Sequence, residues 1–153
     1  MKPEVNKVDG LKFKGLVNIK LFGPDGNLKD SREINNLVVT AGLNHIADQL
    51  SASPGEAAMS HMEIGTGTTA AQASDTTLET ALDRNALTSR TDSNNVVTYV
   101  ANWAAGDGTG AITEAGIFNA ASSGTMLART VFSVVNKGAG DTLAVSWSIT
   151  LSV

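Results

Sequence analysis

Two histidines and one nearby acid, His45, His61 and Glu63, are the residues whose types best suit holding a metal or moving a proton. His61 and Glu63 stand two apart, so on a strand they share one face. Zinc deaminase chemistry built on such a pair also draws on cysteine ligands, and the chain has no cysteine. The helical periodicity around residue 45 places His45 on the outer side of its helix. A structural role is expected for all three, with neither metal nor cofactor.

Two glycine strings invite other chemistry. Gly65-Thr66-Gly67-Thr68-Thr69-Ala70 has the look of a dinucleotide-binding turn, but that turn must open a helix inside a parallel βαβ unit. Here Ala-Gln-Ala-Ser-Asp follows, which reads as extended loop. Gly106-Asp107-Gly108-Thr109-Gly110 offers one carboxylate, too few oxygens for calcium, and reads as a turn. No G-x-S-x-G elbow is present, and no carboxylate pair stands out as a glycosidase dyad. The expectation is a protein that is not an enzyme.

Two further groups concern packing and contacts. Trp103 and Trp147 lie on apolar strand faces, where core packing is expected; Tyr99, Asn102 and Trp103 would make a glycan-binding patch only if Trp103 faced outward. Glu114 lies in an apolar strand close to Arg129 on the next one, so a hairpin would let the two pair. Such a pair specifies geometry more than it stabilises.

The elements that must carry these residues are mostly strands. Residues 143–153, LAVSWSITLSV, alternate without a break, with Leu143, Val145, Trp147, Ile149, Leu151 and Val153 on one side. Residues 12–39 read as a hairpin about the turn Gly23-Pro24-Asp25-Gly26-Asn27, in which Gly26 takes the positive torsion. Leu43, Ile46, Ala47 and Leu50 fall at helical spacing and predict one short α-helix over about residues 41–50, capped by Thr40 and weakened by Gly42. A second helical turn is expected over 76–82, capped by Asp75. Short strands are expected at 59–64, 85–91, 96–104, 112–119 and 126–135. This spacing predicts a mainly β fold, an antiparallel β-sandwich or jelly roll with that one helix. Residues 1–10 read as a flexible polar arm and 11–153 as a single β-sandwich domain.

Composition sets outer bounds. A chain of 153 residues with 42% hydrophobic and 17% charged residues has the makings of one folded domain rather than a disordered chain. The net charge of -4 argues against nucleic acid as the main partner. Residues 1–33 carry seven basic against five acidic side chains, and the rest four against ten, a mildly basic front on an acidic body. No apolar run approaches bilayer length and the first residues lack a secretory signal, so no membrane partner is expected. Synthesis in the cytosol, with export only as part of a larger assembly, is the corresponding expectation.

Residues 110–153 carry a resemblance. The segments Thr-Glu-Ala-Gly-Ile-Phe-Asn at 113–119, Met-Leu-Ala-Arg-Thr-Val-Phe at 126–132, and the Lys-x-x-Gly-Asp-Thr-Leu turn into the last strand resemble the C-terminal half of small virion proteins of tailed bacteriophages. Asn-Leu-Val-Val-Thr-Ala-Gly-Leu at 36–43 and Ile-Gly-Thr-Gly-Thr-Thr at 64–69 extend the likeness upstream. Related strings are similar to parts of tail-fibre and tail-collar proteins. The resemblance implies a head decoration, or cement, protein on the virion head exterior, made in the host cytoplasm, binding the major capsid protein and bridging capsomers. It also implies a homo-oligomer, dimer or trimer. The alternative is a tail-fibre, collar or baseplate module, although no shaft repeat or coiled-coil heptad is present. Composition selects two contact regions: the polar arm, with Lys2, Pro3, Val5, Lys7 and Val8, and the loop over residues 53–77, with Pro54, Met59, Thr68 and Thr69.

Overall fold

The computed structural model describes residues 10–153, so the arm residues Lys2, Pro3, Val5, Lys7 and Val8 lie outside the described residues. Ten strands and one helix follow in order: β1 (Lys12–Phe22), β2 (Leu28–Asn35), β3 (Leu37–Val38), α1 (Thr40–Gln49), β4 (His61–Gly65), β5 (Ala81–Ala86), β6 (Ser89–Ser93), β7 (Val96–Trp103), β8 (Gly110–Phe118), β9 (Met126–Lys137) and β10 (Thr142–Ser152). They form two five-stranded antiparallel sheets, β2-β1-β10-β7-β6 and β3-β9-β8-β4-β5. The mainly β sandwich with one short helix matches the sequence pattern.

The alternating strand β10 is the centre of the first sheet. It pairs with β1 from Phe22↔Thr142 to Lys12↔Ser152 and with β7 from Leu143↔Trp103 to Thr150↔Val96. Its inward row, Leu143, Val145, Trp147 and Ile149, is buried. Opposite lie Met62 and Ile64 of β4, Ala115 and Ile117 of β8, and Ala128 and Val135 of β9, in the same apolar cluster. Each fully buried large side chain contributes roughly 1.5–3 kcal/mol of transfer free energy, so the main stabilisation sits between the sheets. The β1–β2 turn closes as its residues dictate. The Gly23 amide donates to the Asn27 carbonyl, the Asp25 carboxylate accepts from the Asn27 amide, and Gly26 has φ +79°.

Tertiary contacts shift several local expectations. Helix α1 starts at Thr40, but Val39 occupies the cap position without a side-chain bond, and the Thr40 amide instead donates to the Ala73 carbonyl. Gly42 is buried where α1 crosses β9, and a Cβ there would run into the Leu127 backbone. Its cost in helix propensity is offset by that close approach. Residues 76–80 form no helix, because the Glu79 and Thr80 amides donate to Glu114 and Asp75 faces Arg129 and the Gln72 amide. The single strand expected at 85–91 is two strands: the chain leaves one sheet after Ala86 and joins the other at Ser89. At that corner the Leu87 amide donates to Ser60 and the Thr88 amide to Val100.

Candidate functional site

A dense set of hydrogen-bonded polar groups lies on the outer face of the second sheet. In β8 the side chains of Ala115 and Ile117 point into the core, so Glu114, Gly116 and Phe118 point the other way. In β9, Arg129 lies opposite Gly116 and Val131 opposite Glu114, a diagonal that brings Glu114 and Arg129 together. The segment over residues 66–80, leaving β4 and returning to β5, folds across this face. Leu78 packs there with Phe118, Met126 and Val39 in a second apolar cluster.

The charged pair beneath that segment is buried. Glu114 is fully inaccessible, and Arg129 nearly so. Five donors meet the Glu114 carboxylate. The amides of Gly67 and Thr80 reach Oε1 at 3.0 and 2.7 Å; the Glu79 amide and Arg129 Nε and Nη2 reach Oε2 at 3.0, 3.1 and 2.8 Å. Arg129 also donates to Asp75 Oδ2 at 2.8 Å and to the Thr69 carbonyl at 3.0 Å. Thr113 Oγ1 donates to the Gly67 carbonyl. A Cβ on Gly67 would overlap the Glu114 carboxylate and the Glu79 side chain, so glycine is required at this approach.

Protonation follows from these contacts. Partial burial works against ionisation of Asp75, but the Gln72 amide and the Arg129 guanidinium outweigh it and hold the carboxyl below its ordinary range. Glu79 is held low by the backbone amide and hydroxyl of Thr69. For Arg129, desolvation opposes the charge, yet the hydrogen bonds it donates to Glu114 and Asp75 raise its pKa above the usual value. All three are charged at neutral pH and committed to one another. Such a cluster fixes a loop.

What it fixes is a small, hydroxyl-rich surface. Thr68, Thr69, Gln72, Ser74, Thr76 and Thr77 are exposed. Of the sequence-selected contact residues, Pro54, Thr68 and Thr69 lie at the surface, but Met59 does not. It precedes β4 and is buried in the core cluster, beside His45, Ile46 and Gln49 of α1. The expected loop over 53–77 is also interrupted by β4, a buried strand paired on both sides.

The histidine set does not assemble. His45 is buried rather than outward, with Nδ1 2.8 Å from Glu56 Oε2, because the chain after α1 doubles back over it. Asp48 anchors that return by accepting from the Gly55 and Glu56 amides. His61 instead meets Ser60 Oγ at 2.7 Å. Glu63 is held by Arg84 at 2.7 Å, whose guanidinium lies 3.7 Å from the Phe118 ring centroid. Among the described residues no three His, Asp or Glu side chains are grouped to hold a metal ion. Tyr99 and Trp103 are buried on the inner face of β7, so they cannot form the glycan patch with Asn102. No helix among the described residues is long and apolar enough to cross a membrane.

Fold and site together define a two-sheet antiparallel sandwich that displays a clamped surface loop. No protein-family model matches the chain, and no curated protein or solved structure matches it either. Sequence reading singled out Glu114 and Arg129 as a pair but missed Asp75 and Glu79 as its partners. Only the folded segment 66–80 brings those acids within reach.

Proposed function

We propose that this protein is a structural component of a tailed-bacteriophage virion, a head decoration protein that binds the outside of the major capsid protein and bridges capsomers as a dimer or trimer. One observation carries the reading. The two motifs that resemble phage virion proteins, residues 113–119 and 126–132, are the β8–β9 hairpin, and their glutamate and arginine clamp the exposed loop. The motif residues therefore hold that surface in place. Pre-ordering a contact loop lowers the entropic cost of docking, and several such contacts on one shell act at high effective concentration. The polar, small-residue character of the loop suits a lattice contact that is weak singly and firm collectively.

The test is to add purified protein to particles assembled without it and image them. Density on the outer head surface supports the reading; density confined to the tail or collar overturns it in favour of the tail-module alternative. Thr68→Arg and Thr76→Arg, both on the exposed loop, should lower head occupancy while leaving the melting temperature unchanged. Removal of residues 1–10 should also weaken binding.

A further inference from the structure

The two sheets end differently along the side where β2 and β3 lie. β2 spans eight residues, but β3 has only two, and it covers β9 at Ala128 and Arg129 alone. From Thr130 to Lys137, β9 pairs with β8 on one side and with no strand among the described residues on the other. That open edge carries Val131-Phe132-Ser133-Val134-Val135, a window of strand-forming residues without charge, proline or glycine. Such a window on a free edge is a template for pairing with another chain. Val134 is 41% exposed on it.

One side chain closes the edge. The inner face of β2 carries Asp30, Arg32 and Ile34, which oppose the inward residues Leu21, Ile19 and Val17 of β1. Arg32 reaches across to the other sheet. Its Nη1 donates to the Ser133 carbonyl at 3.2 Å and hydroxyl at 2.8 Å, and its Nη2 to the Val134 carbonyl at 3.0 Å. Two successive carbonyls meet one guanidinium because β9 is bulged here, running from Val131 to Val135 while β8 runs from Glu114 to Ile112. Asp30 braces the same guanidinium through Nε at 2.8 Å and Nη2 at 3.0 Å. The acceptors that an added strand would use are thus occupied. An inward-pointing charge and a bulge are the means by which β proteins blunt an edge.

We propose that this edge is a pairing surface for a second copy of the chain, held shut by Arg32 as an autoinhibitory contact. The window itself selects that occupant. Antiparallel pairing about Ser133 sets Val131 against Val135 and Phe132 against Val134, apolar against apolar at each position, with no like charges to repel. The inference is independent of where the protein sits on a particle.

Sedimentation of the full chain across a concentration series tests it. Arg32→Ala should self-associate at roughly 10-fold lower concentration than the wild type, since each copy frees two carbonyls for the ladder. Amide exchange over residues 131–135 should slow as the complex forms. Asp30→Asn, which leaves the guanidinium unbraced, should shift association in the same direction by less. Lys20→Ala removes the same charge from the outer face of the first sheet and should behave as the wild type. Adding Val134→Lys to Arg32→Ala places a like charge at the edge of each copy and should restore the wild-type state. Melting curves distinguish pairing of folded chains from aggregation of unfolded ones, and association that begins only on unfolding overturns the proposal. So does an Arg32→Ala variant that associates no more than the wild type, equal association in Lys20→Ala, or association that Val134→Lys fails to reverse. Concentration-dependent protection of residues 131–135 in the wild type would show that Arg32 does not hold the edge shut.

Discussion

Replacing Glu114 by glutamine changes the site by little more than a charge and one acceptor. The carboxylate receives five hydrogen bonds, three on Oε2 and two on Oε1. A glutamine has a single acceptor oxygen. Its least harmful orientation keeps that oxygen toward Arg129 and Glu79 and turns the NH2 group toward the Gly67 and Thr80 amides, which then lack an acceptor. Each orphaned buried donor costs about 1–3 kcal/mol, and removing one member of a buried ion pair costs about 3–5 kcal/mol in all. These overlap, so the expected loss is about 3–5 kcal/mol. In a chain of this size that lowers the melting temperature by roughly 6–20 °C. Trp103 and Trp147 are fully buried and report unfolding by fluorescence, so a urea titration measures the loss as a shift in midpoint at constant slope. Amide exchange at Gly67, Glu79 and Thr80 should accelerate in the same variant. A loss below about 1 kcal/mol, or unchanged protection at those amides, refutes the clamp. The double variant Glu114→Leu/Arg129→Met should recover little of the stability, because the Gly67, Glu79 and Thr80 amides are then all left without an acceptor. It should also leave residues 66–80 exchanging fast, because Asp75 and the Thr69 carbonyl lose their anchor.

Other consequences follow from the same geometry. Gly42→Ala gains roughly 1 kcal/mol of helix propensity but drives a methyl into the Leu127 backbone, so chemical denaturation should show net destabilisation of about 1–3 kcal/mol; a stabilised variant would refute the close approach. Trp147→Ala empties the centre of β10 and should cost about 3–5 kcal/mol by the same assay. The pH dependence has a definite sign. Asp141 is held low by the Lys29 ammonium and the Gly138 amide, and Asp75 and Glu79 are held low as described above. A carboxyl with a depressed folded-state pKa stabilises above its unfolded value and loses that contribution as pH falls through the folded one. Thermal midpoints should therefore be flat from neutrality to about pH 5 and decline below about pH 4. Asp141→Asn should flatten part of that decline, and an unchanged slope would remove Asp141 from the account.

Residue patterns reached the fold because the core is a two-period structure. The rows in β1, β7 and β10 alternate strictly, and one face of each is buried against the other sheet, so period, register and burial agree at each position. Local reading failed where a distant group took over a backbone amide. A helical turn over 76–82 is reasonable from Asp75 onward, yet the amides it would use are claimed by Glu114, some 35 residues later in sequence. Thr40 has the side chain of a cap, but the Ala73 carbonyl meets its amide first. His45 sits outward on the isolated helix and inward in the protein, because residues 50–57 return over it under the hold of Asp48. The Glu114 and Ala73 partners lie about 35 residues away, and the return over His45 is made by an irregular loop, so no periodicity records any of them.

The placement of the buried charges also bears on how the surface can change. The Glu114–Arg129 pair is not between the sheets, where volume is filled by Trp103, Trp147 and their neighbours, but beneath a loop on the far side of one sheet. Its directional bonds are made almost wholly to loop backbone: the amides of Gly67, Glu79 and Thr80 and the carbonyl of Thr69. Backbone groups are the same whatever side chains the loop bears. The clamp therefore holds the shape of residues 66–80 while leaving Thr68, Gln72, Ser74, Thr76 and Thr77 free to vary, which is the property a protein needs if its contact surface must follow a changing partner. Gly67, where a Cβ would strike the carboxylate, Asp75, which completes the arginine's coordination, and Leu78, which packs with Phe118 and Met126, are barred from that variation. A library randomised across the loop and sorted for folding alone should accordingly recover glycine at 67 and an acid at 75, with little preference at 68, 74, 76 and 77; equal tolerance at all six would mean that the loop is not clamped from beneath.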